Sequence, residues 1–390
     1  MLQLLDGNGE EARVVGGAVR NALLQIPPGD IDIATTALPD EVIRRARAAG
    51  IKSVPTGIEH GTVTLVIDGR PFEVTTLRED TETFGRDWVR DAERRDFTIN
   101  GLSVDAAGVV HDHVGGLDDI LAKRVRFIGD PDRRIAEDFL RILRFFRIHA
   151  AHGAGEPDRD GYLACIRLRA GLATLSAERM RMEMLKLVIA DGAAGAVAAM
   201  ADGGLLLPIL GGIGYTGPFA AMISAERLLG LKPDAVRRLG ALAVAVTEDA
   251  KRVAARLRLS NAETKALDSM GHRWWRLGGM DEAVARRRLY RLGEDRYRDR
   301  LMLAWARAGA GADSAHWREL AALPERWRAP KFPLKAADFV PRGITEGPAL
   351  GRVLALAEDA WLAADFPLDQ PALNAIADQT FSRFTRDHRP

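Results

Sequence analysis

Over the first 130 residues apolar side chains come in short alternating runs, and beyond them they recur at helical spacing. Arg-Val-Val-Gly-Gly (13–17) reads as a short buried strand ending in a turn. Val19, Ala22, Leu23 and Ile26 then follow helical spacing, and Pro27-Pro28-Gly29 stops that helix. Asp30 to Ala34 alternates polar and apolar as a strand does, and another helix is predicted from Pro39 to about Gly50. Residues 61–77 predict a hairpin, with Val63, Leu65 and Ile67 alternating and Asp68-Gly69 as the turn. On its second strand Phe72 and Val74 share one face, Glu73 and Thr75 the other. Residues 78–95 are charged and poor in apolar side chains, which reads as a mobile loop. Asp130-Pro131 opens a helix running to about Ala150, with Phe139, Ile142, Leu143, Phe146 and Ala150 as its apolar stripe.

The rest of the chain is predicted to be helical, with Gly and Pro breaks near 202–217, 230–233, 277–279 and 329–348 and no tandem repeat. The expected fold is a small α/β head, a mixed sheet with helices, followed by an all-α portion. A chain of 390 residues is too long for one core. With 55 basic and 54 acidic side chains, net charge alone predicts no polyanion partner, so a nucleic-acid surface has to come from segregating Arg in space. The single cysteine, Cys165, excludes an intramolecular disulfide and a Cys-based zinc site. No secretory segment or bilayer-length apolar run is evident, so a cytoplasmic chain with no membrane contact is expected.

The candidate chemistry lies in residues 14–35. On an extended strand, positions i and i+2 point the same way, so Asp30 and Asp32 are expected side by side. Paired carboxylates suit Mg2+, and a pair of such ions supports phosphoryl transfer. Gly16-Gly17 lets backbone N–H groups approach a phosphate, the following helix points its N-terminus there, and Arg20 adds a guanidinium. Neither a Walker A loop nor Gly-x-Gly-x-x-Gly occurs. Glu73, on the neighbouring hairpin, is a third carboxylate that could ligate metal or deprotonate a hydroxyl.

Together, Gly16-Gly17, Arg20 and Asp30-x-Asp32 resemble the nucleotidyltransferase signature of the DNA polymerase β superfamily. RRDFTIN (94–100) resembles the corresponding motif of class II CCA-adding tRNA nucleotidyltransferases and bacterial poly(A) polymerases. EDFLRILRFFR (137–147) resembles their base-reading helix, and residues 342–367 their tail. The resemblance implies a polymerase β-type nucleotidyltransferase head at 1–128, a base-selecting neck at 129–195, a helical body at 196–270 and a tRNA-binding tail at 271–390. It implies that Arg95, Arg144 and Arg147 contact nucleotide and that Asp96 and Asn100 shape the site. Asp138 and Arg141, three apart, are expected as neighbours on one helix face. An acid there can accept the exocyclic amine shared by cytosine and adenine, and the arginine can donate beside it. Without the other motifs, Glu137 and Arg141 would read as a surface ion pair.

The implied activity is template-independent addition of CCA to tRNA 3′ ends from CTP and ATP, with Mg2+ as cofactor and no stable protein partner. Asn21 and Gly101 stand where the family usually has Asp and Ala. Residues 79–93 form a shorter segment than the flexible loop of full CCA adders, so CC-only addition is the alternative, and poly(A) addition a more distant one. HDHVGGLDD (111–119) invites an HD-hydrolase reading, but the only other His-Asp pairing of that kind is Asp387-His388, so it reads as a turn. Residues 272–300 are rich in Arg and aromatics: Arg287 and Arg288 are candidate RNA contacts, while Trp274, Trp275, Leu289 and Leu292 read as packing. Gly343 and Gly347-Pro348 could turn toward a phosphate.

Overall fold

The structure, a computed structural model, describes residues 1–79, 83–309, 314–344 and 346–387. Residues 80–82 of the charged segment, Thr345 in the tail block and His388 lie outside the described residues. The chain divides into two compact units, Met1–Thr216 with Arg252–Leu259, and Gly217–Lys251 with Ser260–Pro390.

The first unit carries a seven-stranded mixed sheet in the order β3-β4-β5-β2-β1-β6-β7. Its strands are β1 (Ala12–Val15), β2 (Asp32–Thr35), β3 (Lys52–Gly57), β4 (Thr62–Ile67), β5 (Arg70–Thr76), β6 (Ser103–Val104) and β7 (Val110–His111). Only β2 and β5 run parallel; the other pairs are antiparallel. The β4–β5 hairpin turns at Asp68 (φ 49°) and Gly69 (φ 76°), both left-handed as a tight two-residue turn requires. Val63, Leu65 and Val74 are buried from this hairpin against Ile33, Val42 and Ala46. Full burial of such a side chain contributes about 1.5–3 kcal/mol.

Helix α1 (Gly17–Leu23) follows β1, and α2 (Pro39–Ala48) covers the sheet core. The segment expected as a mobile loop carries a helix: α3 (Trp88–Arg94) is capped by Asp87, whose carboxylate accepts from the Val89 and Arg90 N–H groups. Trp88 explains the difference. It packs on Val15, Ala34 and Leu77, and the Arg13 guanidinium lies 4.1 Å from its ring centroid, so this aromatic anchors a highly charged stretch.

The single helix expected over 130–150 is two, α4 (Pro131–Glu137) and α5 (Leu140–His152). Asp138 has an extended backbone, and its carboxylate accepts from the Leu140 N–H, so a local side-chain bond competes with the helical ladder and breaks it. Leu140, Phe145 and Ile148 are buried along with Ile142, Leu143, Phe146 and Ala150, so α5 is enclosed on more than a stripe. Helix α6 (Ala177–Ile189) packs against it.

Apolar clusters in the second unit include two built on its C-terminal helices. Leu277, Ala285, Leu289, Tyr297, Leu301 and Trp317 form one, around α7 (Glu282–Leu292) and α8 (Glu294–Arg307). Phe339, Val353, Trp361 and Phe366 form the other. Among the described residues no helix is long and apolar enough to cross a membrane.

Candidate active site

A cavity of about 750 Å3 in the first unit gathers nearly all the residues singled out from the sequence. Gly16, Gly17, Arg20, Asp30, Asp32, Arg95, Asp138, Arg141, Arg144 and Arg147 line it. Glu73 does not line it but is paired in register with Asp32, β5 beside β2. Arg287 and Arg288 lie in the second unit, on α7.

Strand β2 begins only at Asp32, and Asp30 sits on a bend after Gly29 (φ 69°). The two carboxylates therefore reach one cavity from a bend and a strand end, not from alternate positions of one strand. Pro27 and Pro28 have no N–H to donate, and the ladder starts late. Burial first, then Glu73, pushes the Asp32 carboxyl above its ordinary range; Arg95 opposes them and Asp30 adds a further push. Carboxylates that press on one another in this way present the charge pattern a hard divalent cation relieves. Among the described residues no three acid, imidazole or thiol groups form a complete cation cage. Phosphate oxygens of a bound nucleotide fit the role of remaining ligands.

The glycine turn is tightly held. Gly16 has φ 71°, and a Cβ there would lie 2.9 Å from Nη1 of Arg95. Its N–H donates to the Leu102 carbonyl at 3.0 Å, which ties the turn to the end of RRDFTIN. A Cβ at Gly101 would lie 2.5 Å from Val114 Cγ2, which accounts for glycine after TIN.

Behind the turn runs a buried polar chain. Arg20 donates to Oδ1 of Asn100 and, through Nε and Nη2, to Oδ1 of Asn21 at 3.1 and 2.8 Å. Asn100 donates to Asp96 at 3.1 Å, and Asp96 accepts from Arg144 Nε at 2.7 Å. Burial raises the Asp96 pKa, but Arg144, Asn100 and the Phe97 N–H outweigh it and hold the carboxylate below its usual range. Burial, then Arg147, pulls the Arg20 pKa down to about 10, with Asp96 opposing. Arg147 donates to the buried Glu183 of α6, and Arg95 to Asp91 at 3.0 Å.

Asp138 and Arg141 are not turned toward each other on one helix. Asp138 accepts from Nη2 of Arg179 at 2.7 Å; Arg141 donates to Glu137 and to the Arg134 carbonyl, both at 2.6 Å. Each is fixed by its own partner, and both line the cavity.

Sequence reasoning missed Lys186, which lines the cavity from α6 and has no hydrogen-bond or ion-pair partner among the described residues. Nothing local marks it; only packing of α6 on α5 brings it there. HDHVGGLDD is structural in role: Asp112 accepts from the Val114, Gly116 and Leu117 N–H groups, and the buried Asp119 accepts from Thr98, Arg124 and Arg126.

Residues 12–126 match the family model described as the Poly A polymerase head domain. The mitochondrial CCA tRNA nucleotidyltransferase 1 of Danio rerio is 31% identical across 97% of this chain and 90% of its own length. The CCA-adding enzyme of Limosilactobacillus fermentum is 32% identical across 91% of this chain and 89% of its own length. The crystal structure of the Bacillus stearothermophilus CCA-adding enzyme in complex with CTP superposes with a TM-score of 0.75 at 26% identity, covering 99% of this chain and 97% of that one. The Thermotoga maritima CCA-adding enzyme complexed with tRNA shares the fold, with a TM-score of 0.73 at 20% identity over 98% of this chain and 93% of that one.

Proposed function

The chain belongs to the family of CCA-adding tRNA nucleotidyltransferases, and from that premise we propose that it adds CCA to tRNA 3′ ends, taking CTP and then ATP and releasing pyrophosphate. The observation that carries this reading is the cavity in which Asp30 and Asp32 share a lining with six cationic side chains, Arg141 among them, and Asp138. Residues 1–128 would hold the transfer chemistry, 129–195 the base selection and the tail at 271–390 the tRNA, with 196–270 as the helical body.

Asp30 and Asp32 would hold Mg2+, which when bound neutralises phosphate charge and stabilises the oxygens that enter and leave. Glu73 stands beside Asp32 and, after burial, adds to the upward push on its carboxyl. Arg20, Arg95, Arg144 and Arg147 orient the triphosphate as fixed donors. Their carboxylate and amide partners lock their rotamers in advance, so little side-chain order is lost when nucleotide binds. Gly16 and Gly17 keep the approach to the phosphates open. Asp138, held by Arg179, accepts the exocyclic amine of cytosine or adenine, while Arg141 donates to the ring acceptor beside it. Uracil and guanine present the opposite order, a mismatch of about 1–3 kcal/mol per contact by analogy with base readout in DNA.

The test is extension of a tRNA lacking its 3′ end with CTP and ATP, resolved by length. Three added nucleotides ending in A support the proposal; a ladder of adenosines with indifference to CTP overturns it. CC-only addition is the second reading, favoured by the short segment between Arg78 and Arg95, in which Trp88 packs on Val15, Ala34 and Leu77. A product that stalls after two cytidines, with no ATP use on a tRNA ending in CC, selects it.

A further inference from the structure

Helix α3 ends at Arg94, and its last backbone carbonyls need donors from outside the helix. One side chain on α4 supplies them. Nη2 of Arg134 donates to the Arg94 carbonyl at 2.5 Å and also to the Arg95 carbonyl. Nη1 of the same guanidinium donates to Oε2 of Glu137 at 2.5 Å. That oxygen accepts in turn from Nη1 of Arg141 at 2.6 Å. The circuit closes where Arg141 Nη1 donates to the Arg134 carbonyl. A cation thus caps the C-terminus of α3, where helix carbonyls concentrate negative charge, and the same cation holds the carboxylate that anchors Arg141.

Arg134 is buried, whereas the neighbouring Arg133 side chain is 82% exposed and only approaches Glu137, at 3.7 Å. Burial, then the charge of Arg141, lowers the Arg134 pKa, with Glu137 and Asp96 opposing. Arg134 and Glu137 line a cavity of about 790 Å3 that shares no lining residue with the candidate active site. Arg134 therefore acts on the active site only through what it holds. Those residues are Arg95, whose Nη1 reaches the Gly16 turn, and Arg141, both of which line the active-site cavity.

We propose that Arg134 is a positioning residue that keeps the phosphate-facing Arg95 and the base-reading Arg141 in one register, so that base choice and triphosphate alignment are set together. The inference rests on the roles given above to those two arginines. Neither is fixed to the other by a continuous helix: Arg95 follows the end of α3 with an extended backbone, and Arg141 lies beyond the break at Asp138. The planar guanidinium of Arg134 spans the gap, one nitrogen on the Arg95 carbonyl and the other on Glu137. A Lys ammonium would keep the charge without that fixed fork.

The test uses the full chain and a tRNA lacking its 3′ end, with two readouts. Competition between CTP and UTP for incorporation reads the base pocket, and inhibition by pyrophosphate reads the phosphate clamp alone. Arg134→Gln is expected to lower the CTP-over-UTP ratio about tenfold and to weaken pyrophosphate inhibition by a similar factor. Glu137→Gln cuts only the arm to Arg141, so it should lower the ratio and leave pyrophosphate inhibition near wild type. The double variant Arg134→Gln/Glu137→Gln should discriminate no worse than Arg134→Gln, because both changes break the same arm. Arg134→Lys should recover pyrophosphate inhibition more fully than the ratio, and Arg133→Ala should change neither. Near-UV circular dichroism reports folding, and if Arg134→Gln does not fold, Arg134→Lys and Glu137→Gln decide. A wild-type ratio and wild-type inhibition in folded variants overturn the inference and leave the proposed function standing. Losses in Arg133→Ala as large as in Arg134→Gln also overturn it, since bulk charge would then suffice. Failure of the wild-type chain to extend any tRNA removes the function reading and the inference with it.

Discussion

Arg144 and Asp96, far apart in sequence, are joined by two short bonds, Nε at 2.7 Å and Nη2 at 2.6 Å to the same carboxylate oxygen. Asp96 is almost wholly buried and also holds Asn100, which in turn holds Arg20. One carboxylate thus sets the positions of two cavity arginines that come from different helices.

Asp96→Asn removes the charge that Arg144 answers while leaving the volume. Breaking a buried pair costs about 3–5 kcal/mol, and Arg144 is partly exposed, so about 2 kcal/mol is expected. Urea melts check the stability, and steady-state kinetics should show KM for CTP rising as well as kcat falling. Wild-type KM in a folded variant contradicts the role given to Asp96.

The Gly16 turn leaves no room for a side chain. Gly16→Ala meets positive-φ strain of about 1–3 kcal/mol and pushes against Arg95, so nucleotide affinity should fall along with the melting temperature. Gly17→Ala is the milder comparison, because its Cβ would lie 3.4 Å from Arg20. Equal effects of the two substitutions contradict the account of the turn.

Arg179 is the partner of Asp138 and lies outside the cavity lining. Arg179→Ala frees the Asp138 carboxylate, and discrimination of CTP against UTP should drop by up to about 1–3 kcal/mol in kcat/KM ratio. Competitive incorporation measures the ratio directly. An unchanged ratio means that Asp138 needs no such support.

The pH dependence of stability should carry a histidine signature. Burial first, then Arg20 and Arg147, lowers His152 to about 4 from an ordinary value of about 6.5. The unfolded chain then takes up a proton that the folded chain refuses. Stability is full above about pH 6.5 and is lost as pH falls toward 4. His152→Gln should flatten that part of a melting-temperature profile, with His149, lowered mainly by burial, left to supply the remainder. A profile with the same slope as the wild type contradicts the assignment.

Local chemistry made part of this fold readable in advance. Asp68-Gly69 marks its own turn, and the alternation around it marks the strands. Type and spacing single out Asp30 and Asp32, and both line the cavity, but the strand argument covers only Asp32, since prolines upstream keep Asp30 off the ladder. The break at Asp138 was hidden because apolar spacing runs through it, and only the bond to the Leu140 N–H shows why the helix stops. Trp88 looked like one aromatic in a polar loop until its neighbours from β1 and β2 were known. Lys186 and Arg179 carry no local signal, because their positions depend on how α6 meets α5.

The central claim is that Asp30 and Asp32 form the transfer centre of this cavity. Incorporation of labelled CTP into a tRNA lacking its 3′ end, compared between the wild-type chain and Asp30→Ala/Asp32→Ala, tests it most directly. The account predicts a fall on the order of a thousandfold or more, with folding preserved. Incorporation at the wild-type rate by the double variant contradicts it.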